Sequence, residues 1–161
     1  QELKEAVASY CLNASEKLRS ENLVAKALTV FVRTSPFQRN FGYYSNSKTL
    51  DFPIATNNSI ETVKAAVSIL ENIFKDGYSY QKAGVMLTSL SNVTSGENLF
   101  SCLKDEKINN LMKSIDNTNY RYGRSTLSLA SAGVYKKWNM KREHSSKIDT
   151  ADFYSIPKIK C

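Results

Sequence analysis

Two kinds of hydrophobic periodicity alternate along the first ninety residues of this chain. Apolar side chains recur every three or four positions in residues 1–20 and again in residues 60–74, which predicts two amphipathic helices. Apolar and polar side chains alternate in residues 23–34, 50–54 and 80–90, which predicts three strands. The order helix, strand, strand, helix, strand predicts an α+β fold, with both helices on one face of a sheet and the other face free.

Local signals set the expected ends of these elements. Ser35-Pro36 ends the first strand, and a polar, aromatic-rich loop is expected over residues 37–47. Pro53 cannot donate a ladder hydrogen bond, so the second strand is expected at a sheet edge. Asn58 with Glu61 has the spacing of a helix N-cap and its reciprocal carboxylate, and that helix is expected to stop at Asp76-Gly77.

The rest of the chain predicts a linker and a second, smaller α+β domain. Residues 91–104 form a polar linker, and a helix is predicted over residues 105–119. A turn over residues 120–125 and a strand over residues 126–130 follow. The helix would bury a stripe of four side chains, Ile108, Leu111, Met112 and Ile115. The expected domains are therefore residues 1–90 and 105–161, joined by residues 91–104.

Charge is concentrated toward the C-terminus. The formal net charge of the whole chain is +7. Residues 1–90 carry 10 basic and 8 acidic side chains, a balance of +2, whereas residues 121–161 carry 9 and 3, a balance of +6. A basic excess indicates an anionic partner such as nucleic acid, an anionic membrane face or an acidic protein, with a solubilising tail as the plain alternative.

Catalytic chemistry is scarce in this sequence. His144 is the sole histidine, and a Ser145, His144, Asp149 arrangement lacks a nucleophile elbow, so a hydrolase ranks last. No His/Cys cluster or paired carboxylates suggest a metal site, and no metal or other cofactor is expected in this chain. Three dispersed cysteines, with no apolar run long enough to span a membrane, favour a reducing, cytoplasmic location.

Basic side chains next to hydroxyl and aromatic groups are typical of phosphate binding. Six candidate DNA-binding residues meet this description: Arg33, Arg39, Lys48 and Lys82 on or beside the free sheet face, and Arg121 and Arg124 in the second half. Trp138, near further lysines and tyrosines, is expected to be a core residue of the second domain. Leu99 and Phe100, an apolar pair in a polar linker, either fold back on the chain or fill a partner's pocket.

Five segments in order resemble the C-terminal part of the UmuC-type Y-family translesion DNA polymerases. They are ASEKLR at residues 14–19, ALTVFVRT at 27–34, YSYQKAGVML at 78–87, YGRSTLSLA at 122–130 and WNMKR at 138–142. The resemblance implies that residues 1–90 are a little-finger domain, which lies against the DNA backbone, and that the remainder is the C-terminal domain of UmuC-like members. The family's little finger has one more strand before its first helix, so the sequence is expected to be a fragment.

The resemblance also implies partners. GENLF at residues 96–100 stands where the family carries a sliding-clamp-binding pentapeptide; Leu99 and Phe100 match its apolar anchors, whereas the leading Gln and first Leu are replaced. A UmuD-like accessory protein and a RecA-like filament are further partners that the resemblance suggests. The parent polymerase would use Mg²⁺ in a catalytic palm, and this chain itself is not expected to be an enzyme.

Two functions of different classes follow. In the first, the chain grips damaged primer-template DNA and tethers an error-prone, SOS-type repair polymerase to its clamp. In the second, it is a protein-interaction module whose basic tail meets an acidic protein and which binds no DNA.

Overall fold

Three helices and one antiparallel sheet make up the part of the chain that the computed structural model describes. That part comprises residues 1–37, 42–93, 102–134 and 138, with only the backbone for residues 102–105. The elements are α1 (Glu2–Ser20), β1 (Leu23–Thr34), β2 (Ser45–Thr56), α2 (Ser59–Ile73), β3 (Tyr80–Asn92), α3 (Cys102–Tyr122) and a 3₁₀ turn (Ala130–Ala132). The predicted α+β class is therefore confirmed.

The sheet has the strand order β2-β1-β3, with β1 antiparallel to both neighbours. In β1 the three side chains Leu28, Val30 and Val32 have no exposed surface. Helix α1 packs over β1 and β3, and α2 packs over β1 and β2, both on the side of these residues. The other sheet face is covered by no element in the described ranges, as the alternation of β1 predicts.

The edge strand β2 is longer than its apolar pattern predicts. It begins at Ser45, inside the expected loop, because its polar residues pair with β1 through backbone hydrogen bonds. The register shifts between the pairs Ala25↔Thr56 and Ala27↔Asp51, which places Pro53 in an irregular stretch of an edge strand. This irregularity ends the alternation, and Phe52 is the only fully buried side chain of β2.

Helix α2 has the predicted N-cap residue, but its capping hydrogen bonds differ from those expected. The side chain of Asn58 accepts from the Ile60 N–H at 3.0 Å, as an N-cap should. Glu61 was expected to bond the Asn58 backbone; instead Thr56 Oγ1 accepts from the Asn58 N–H and donates to the Glu61 carboxylate. The helix ends at Ile73, before Asp76-Gly77, because Phe74 turns to extended backbone.

The second half departs from several predictions. Residues 126–130 form no strand within the described structure: Asn119 bonds both the N–H and the C=O of Leu127, replacing a partner strand. In α3, Met112 is buried as expected, whereas Leu111 is 47% exposed and so does not belong to the buried stripe. None of the described helices is long and apolar enough to cross a membrane.

A four-way contact of Arg19 attaches α3 to the rest of the fold. Its Nε and Nη2 donate to the two oxygens of Asp116 at 2.6 and 2.8 Å. Its Nη1 donates to the Asn57 carbonyl at 2.7 Å and to Ser59 Oγ at 2.8 Å. One guanidinium thus connects α1, α3 and the start of α2. A planar fork with five donors is suited to such convergence, and a lysine is not.

Helix α1 is held in the core by small and apolar side chains. Cys11 is fully buried there, and desolvation raises the pKa of its thiol to about 12. Ser15 and Thr62 share a buried hydrogen bond of 2.8 Å between α1 and α2. Trp138, expected in a separate core, stacks edge-on against Tyr10 of α1 at 5.5 Å between ring centroids.

We predict that Arg19→Ala lowers the free energy of unfolding by about 2 kcal/mol, because it leaves a half-buried carboxylate and a backbone carbonyl without their partner. Arg19→Lys should recover less than half of this loss. The exposed pair Lys4–Glu71 is a matched control, and Lys4→Ala should cost no more than about 0.5 kcal/mol. Urea unfolding of the variants measures both values. Equal losses for Arg19→Ala and Lys4→Ala would contradict the role of Arg19 in attaching α3 to the rest of the fold.

Candidate nucleic-acid interface

Every second side chain of each strand lies on the sheet face that no described element covers. Register places the same-face residues of the three strands side by side: Arg33 with Ser45 and Lys82, Phe31 with Ser47 and Gly84, Thr29 with Thr49 and Met86, and Ala27 with Asp51 and Thr88. We call this set the free face. Its composition changes from cationic at the Arg33 end to acidic at Asp51.

Arg33 and Lys82 are directly opposite each other on neighbouring strands. Both are exposed, and neither forms a salt bridge with any residue in the described ranges. Like charges at directly opposed positions of a sheet repel one another and destabilise the pairing. A polyanion laid across the strands would relieve this repulsion, so the pair is the main electrostatic feature of the free face.

The middle of the free face is flat and weakly polar. The ring of Phe31 covers Gly84, since a Cβ at that glycine would lie 2.4 Å from its tip. Thr29 and Thr49 share a hydrogen bond of 2.8 Å between their hydroxyls across β1 and β2. The ring lies on the sheet and the hydroxyl side chains are short, whereas the flexible Met86 beside Thr29 is 53% exposed.

An aromatic cluster braces the Arg33 end. Tyr44 donates its hydroxyl to the Ile73 carbonyl at 2.7 Å and stacks on Tyr78 at 4.9 Å. The hydroxyl of Tyr80 donates to the Lys75 carbonyl and accepts from the Lys75 N–H, and burial is the largest cause of its raised pKa. These bonds tie the α2–β3 connection to the start of β2 and so hold Lys82 near Arg33.

The predicted site residues do not form one surface. Arg33 and Lys82 meet on the free face. Lys48 was expected on or beside it, but it pairs with Val30, so its side chain lies on the helix side of the sheet edge. Residues 38–41 lie outside the described structure, so Arg39 has no assigned position.

Arg121 and Arg124 belong to the segment that packs on α1. Arg121, expected in a turn, is in the last turn of α3, with its guanidinium 5.5 Å from the ring centroid of Tyr122. Arg124 lines a cleft between α1 and residues 124–132. Both are exposed and separate from the free face. The clamp-binding candidates Leu99 and Phe100 lie outside the described residues.

Sequence reasoning missed the aromatic residues next to Arg33. Its guanidinium lies 5.9 Å from the centroid of the Tyr43 ring. From the sequence, the run Phe41-Gly42-Tyr43-Tyr44 indicates only an aromatic-rich loop. Adjacent tyrosines give no signal of which one packs and which one stays exposed; that depends on the hydrogen bond from Tyr44 to Ile73. No group of three or more potential metal ligands occurs among the described residues.

Comparison with known proteins agrees with this fold. Residues 1–99 match the impB/mucB/samB family C-terminal domain, and residues 109–159 match a domain of unknown function, DUF4113. The chain therefore belongs to the impB/mucB/samB family, which confirms the resemblance to UmuC-type proteins.

Curated relatives match nearly the whole chain. Protein UmuC of Salmonella typhimurium strain LT2 is 37% identical over 162 residues, which cover 99% of this chain and 38% of the relative. Protein ImpB of Salmonella typhimurium is 35% identical, covering 96% of this chain and 37% of the relative. Protein MucB of Escherichia coli is 33% identical, and the match covers 97% of this chain and 37% of the relative. The chain thus spans less than two fifths of the length of these relatives.

Proposed function

We propose that this chain is the DNA-holding part of a translesion DNA polymerase and that its free face binds the backbone of primer-template DNA. The observation that carries the proposal is the pair Arg33 and Lys82, which forms no salt bridge with any described residue and is directly opposed on a sheet face that no described element covers. Family membership supports it, since the match spans residues 1–99, which include the whole sheet.

The charge gradient of the free face supports a defined placement of DNA. Phosphates are attracted to the end that carries Arg33 and Lys82 and are repelled by Asp51 at the other end. Ser45 and Ser47, exposed beside Arg33 and Phe31, add short hydroxyl donors for phosphate oxygens. Such contacts position a duplex without reading its bases.

A grip of this kind suits a damaged template. Backbone contacts carry no sequence information directly, so a modified base does not disturb them. Arg39, Lys48, Arg121 and Arg124 remain proposed as further phosphate contacts; Arg121 and Arg124 would reach DNA from the α1 side and not from the sheet. We propose that DNA synthesis with Mg²⁺ belongs to a longer, cytoplasmic SOS polymerase. Contacts with a UmuD-like protein or a RecA-like filament are proposed for the same polymerase.

We predict that the affinity for a labelled primer-template duplex falls log-linearly with salt in fluorescence anisotropy titrations. Arg33→Ala and Lys82→Ala should each reduce the slope of this dependence by about 1, because each variant releases one phosphate contact. Lys64→Ala is the matched control, since it removes one exposed positive charge from the outer side of α2. The control should leave the slope unchanged.

Two outcomes would contradict the proposal. Equal losses for Lys64→Ala and Arg33→Ala would mean that only net charge matters. No binding at low salt would exclude a DNA grip by this chain and favour the protein-interaction module with an acidic partner.

We also propose that Leu99 and Phe100 dock in an apolar pocket of the sliding clamp and raise the polymerase's local concentration at the primer end. The proposal rests on the sequence alone. The double variant Leu99→Ala/Phe100→Ala should weaken binding to purified clamp at least about tenfold, since paired apolar anchors typically dominate such contacts. Leu127→Ala, which removes another exposed leucine, is the control. Unchanged clamp binding by the double variant would refute the assignment.

A further inference from the structure

Two aromatic side chains near the Arg33 end, Phe37 and Tyr43, are not part of the core among the described residues. Tyr44 and Tyr80 bond the backbone of α2 and its C-terminal extension, and they stack within the aromatic cluster. By contrast, Phe37 is 90% exposed and Tyr43 is 57% exposed. Large exposed aromatic residues contribute little to folding and are unfavourable in water, so a ligand is the natural use for these two rings.

Both residues lie close in sequence to the ends of two paired strands. Phe37 follows the end of β1 by three residues, and Tyr43 precedes the start of β2 by two. Thr34 holds the base of this hairpin: its N–H donates to the Tyr44 carbonyl at 2.9 Å, and its hydroxyl accepts from the Tyr44 N–H at 2.8 Å. Tyr43 is therefore presented from a hydrogen-bonded hairpin stem.

The Tyr43 ring adjoins the cationic pair, and Phe37 lies four residues after Arg33 in the sequence. The Arg33 guanidinium lies 5.9 Å from the centroid of Tyr43, and Lys82 is the direct cross-strand neighbour of Arg33. Exposed aromatic faces next to a cationic groove are the combination that single-stranded nucleic acid uses, because bases stack on the rings while phosphates meet the charges. A duplex keeps its bases stacked inside and would leave these rings unused.

We propose that Phe37 and Tyr43 form a stacking site for unpaired nucleotides of single-stranded DNA, whose phosphates continue onto Arg33 and Lys82. The inference rests on the proposed function and deepens it: the free face holds the duplex, and this end of the sheet holds the unpaired strand that leads to or from it. Charge complementarity and the exposed surface of the two aromatic rings favour single-stranded DNA over an apolar protein segment.

The test compares two ligands and two matched double variants of the full chain. The ligands are a fluorescent oligothymidylate, which has no duplex structure, and a blunt-ended hairpin duplex whose loop is a non-nucleotide linker, so that it has no unpaired nucleotides. Phe37→Leu/Tyr43→Leu keeps apolar side chains but removes the aromatic faces, whereas Phe37→Tyr/Tyr43→Phe keeps both rings. Because both positions are exposed, the variants should unfold at the wild-type temperature, and the single variant Tyr43→Leu serves as a further check.

The leucine variant should bind oligothymidylate at least about tenfold more weakly, as expected for two lost base–aromatic contacts. Its affinity for the hairpin should change less than about twofold, and the ring-retaining variant should match wild type on both ligands. Quenching of tyrosine fluorescence by oligothymidylate should decrease in Tyr43→Leu.

The stacking site is overturned if the leucine variant binds oligothymidylate as wild type does, or if it loses affinity equally for both ligands. It is also overturned if wild type binds the hairpin with a steep salt dependence but not oligothymidylate; in that case the proposed DNA grip stands. Wild type that binds neither ligand overturns both proposals. Selective binding of an apolar peptide through Phe37 and Tyr43, without DNA binding, would assign the rings to a protein partner.

Discussion

The two-sided character of the central strand β1 is the constraint on which the structure depends. Leu28, Val30 and Val32 are fully buried under the two helices, so the residues between them must point to the other face. A shift of β1 by one residue would place Arg33 in the core and Val32 in water, at a cost no neighbouring contact could offset. The packing that stabilises the fold therefore also fixes where its charges lie.

This coupling explains why the free face can carry features that do not help folding. Arg33 opposite Lys82, together with the exposed rings of Phe37 and Tyr43 next to the free face, is neutral or unfavourable for folding. They persist because the opposite face supplies the stability. In a single sheet with one covered face, the uncovered face is available for a ligand, and the charges of Arg33 and Lys82 are the reason that we propose an anionic one.

The attachment of α3 follows a different principle. Helix α3 is attached by the bidentate Arg19–Asp116 pair and by the buried Met112, and the 3₁₀ turn after it is attached by a bond of 3.4 Å from the Ser9 hydroxyl to the Ala132 carbonyl. The pair also involves Asn57 and Ser59, so the start of α2 and the attachment of α3 depend on the same side chain. Arg121 and Arg124 are thereby held on the α1 side of the fold.

Periodicity predicted those parts of the fold in which burial decides the conformation. The range of β1, the sheet edge position of Pro53 and the N-cap Asn58 agree with the structure. It failed where a polar side chain replaces a backbone partner, as Asn119 does for Leu127, and where a polar strand is stabilised by its neighbour, as for Ser45. Of the candidate site, Arg33 and Lys82 were predictable, because alternation assigns them to one face. The face of Lys48 and the partner of Arg19 were not, since both depend on register and on contacts distant in sequence.

The most direct test of the central claim is a chemical-shift map of the ¹⁵N-labelled chain titrated with primer-template duplex. If the free face binds DNA, the largest shifts should fall on the backbone amides of Phe31, Arg33, Ser47 and Lys82, while those of Lys64 and Glu71 on α2 stay constant. Shifts confined to the outer surfaces of α1 and α2, or to residues 102–134, with an unperturbed sheet would contradict it.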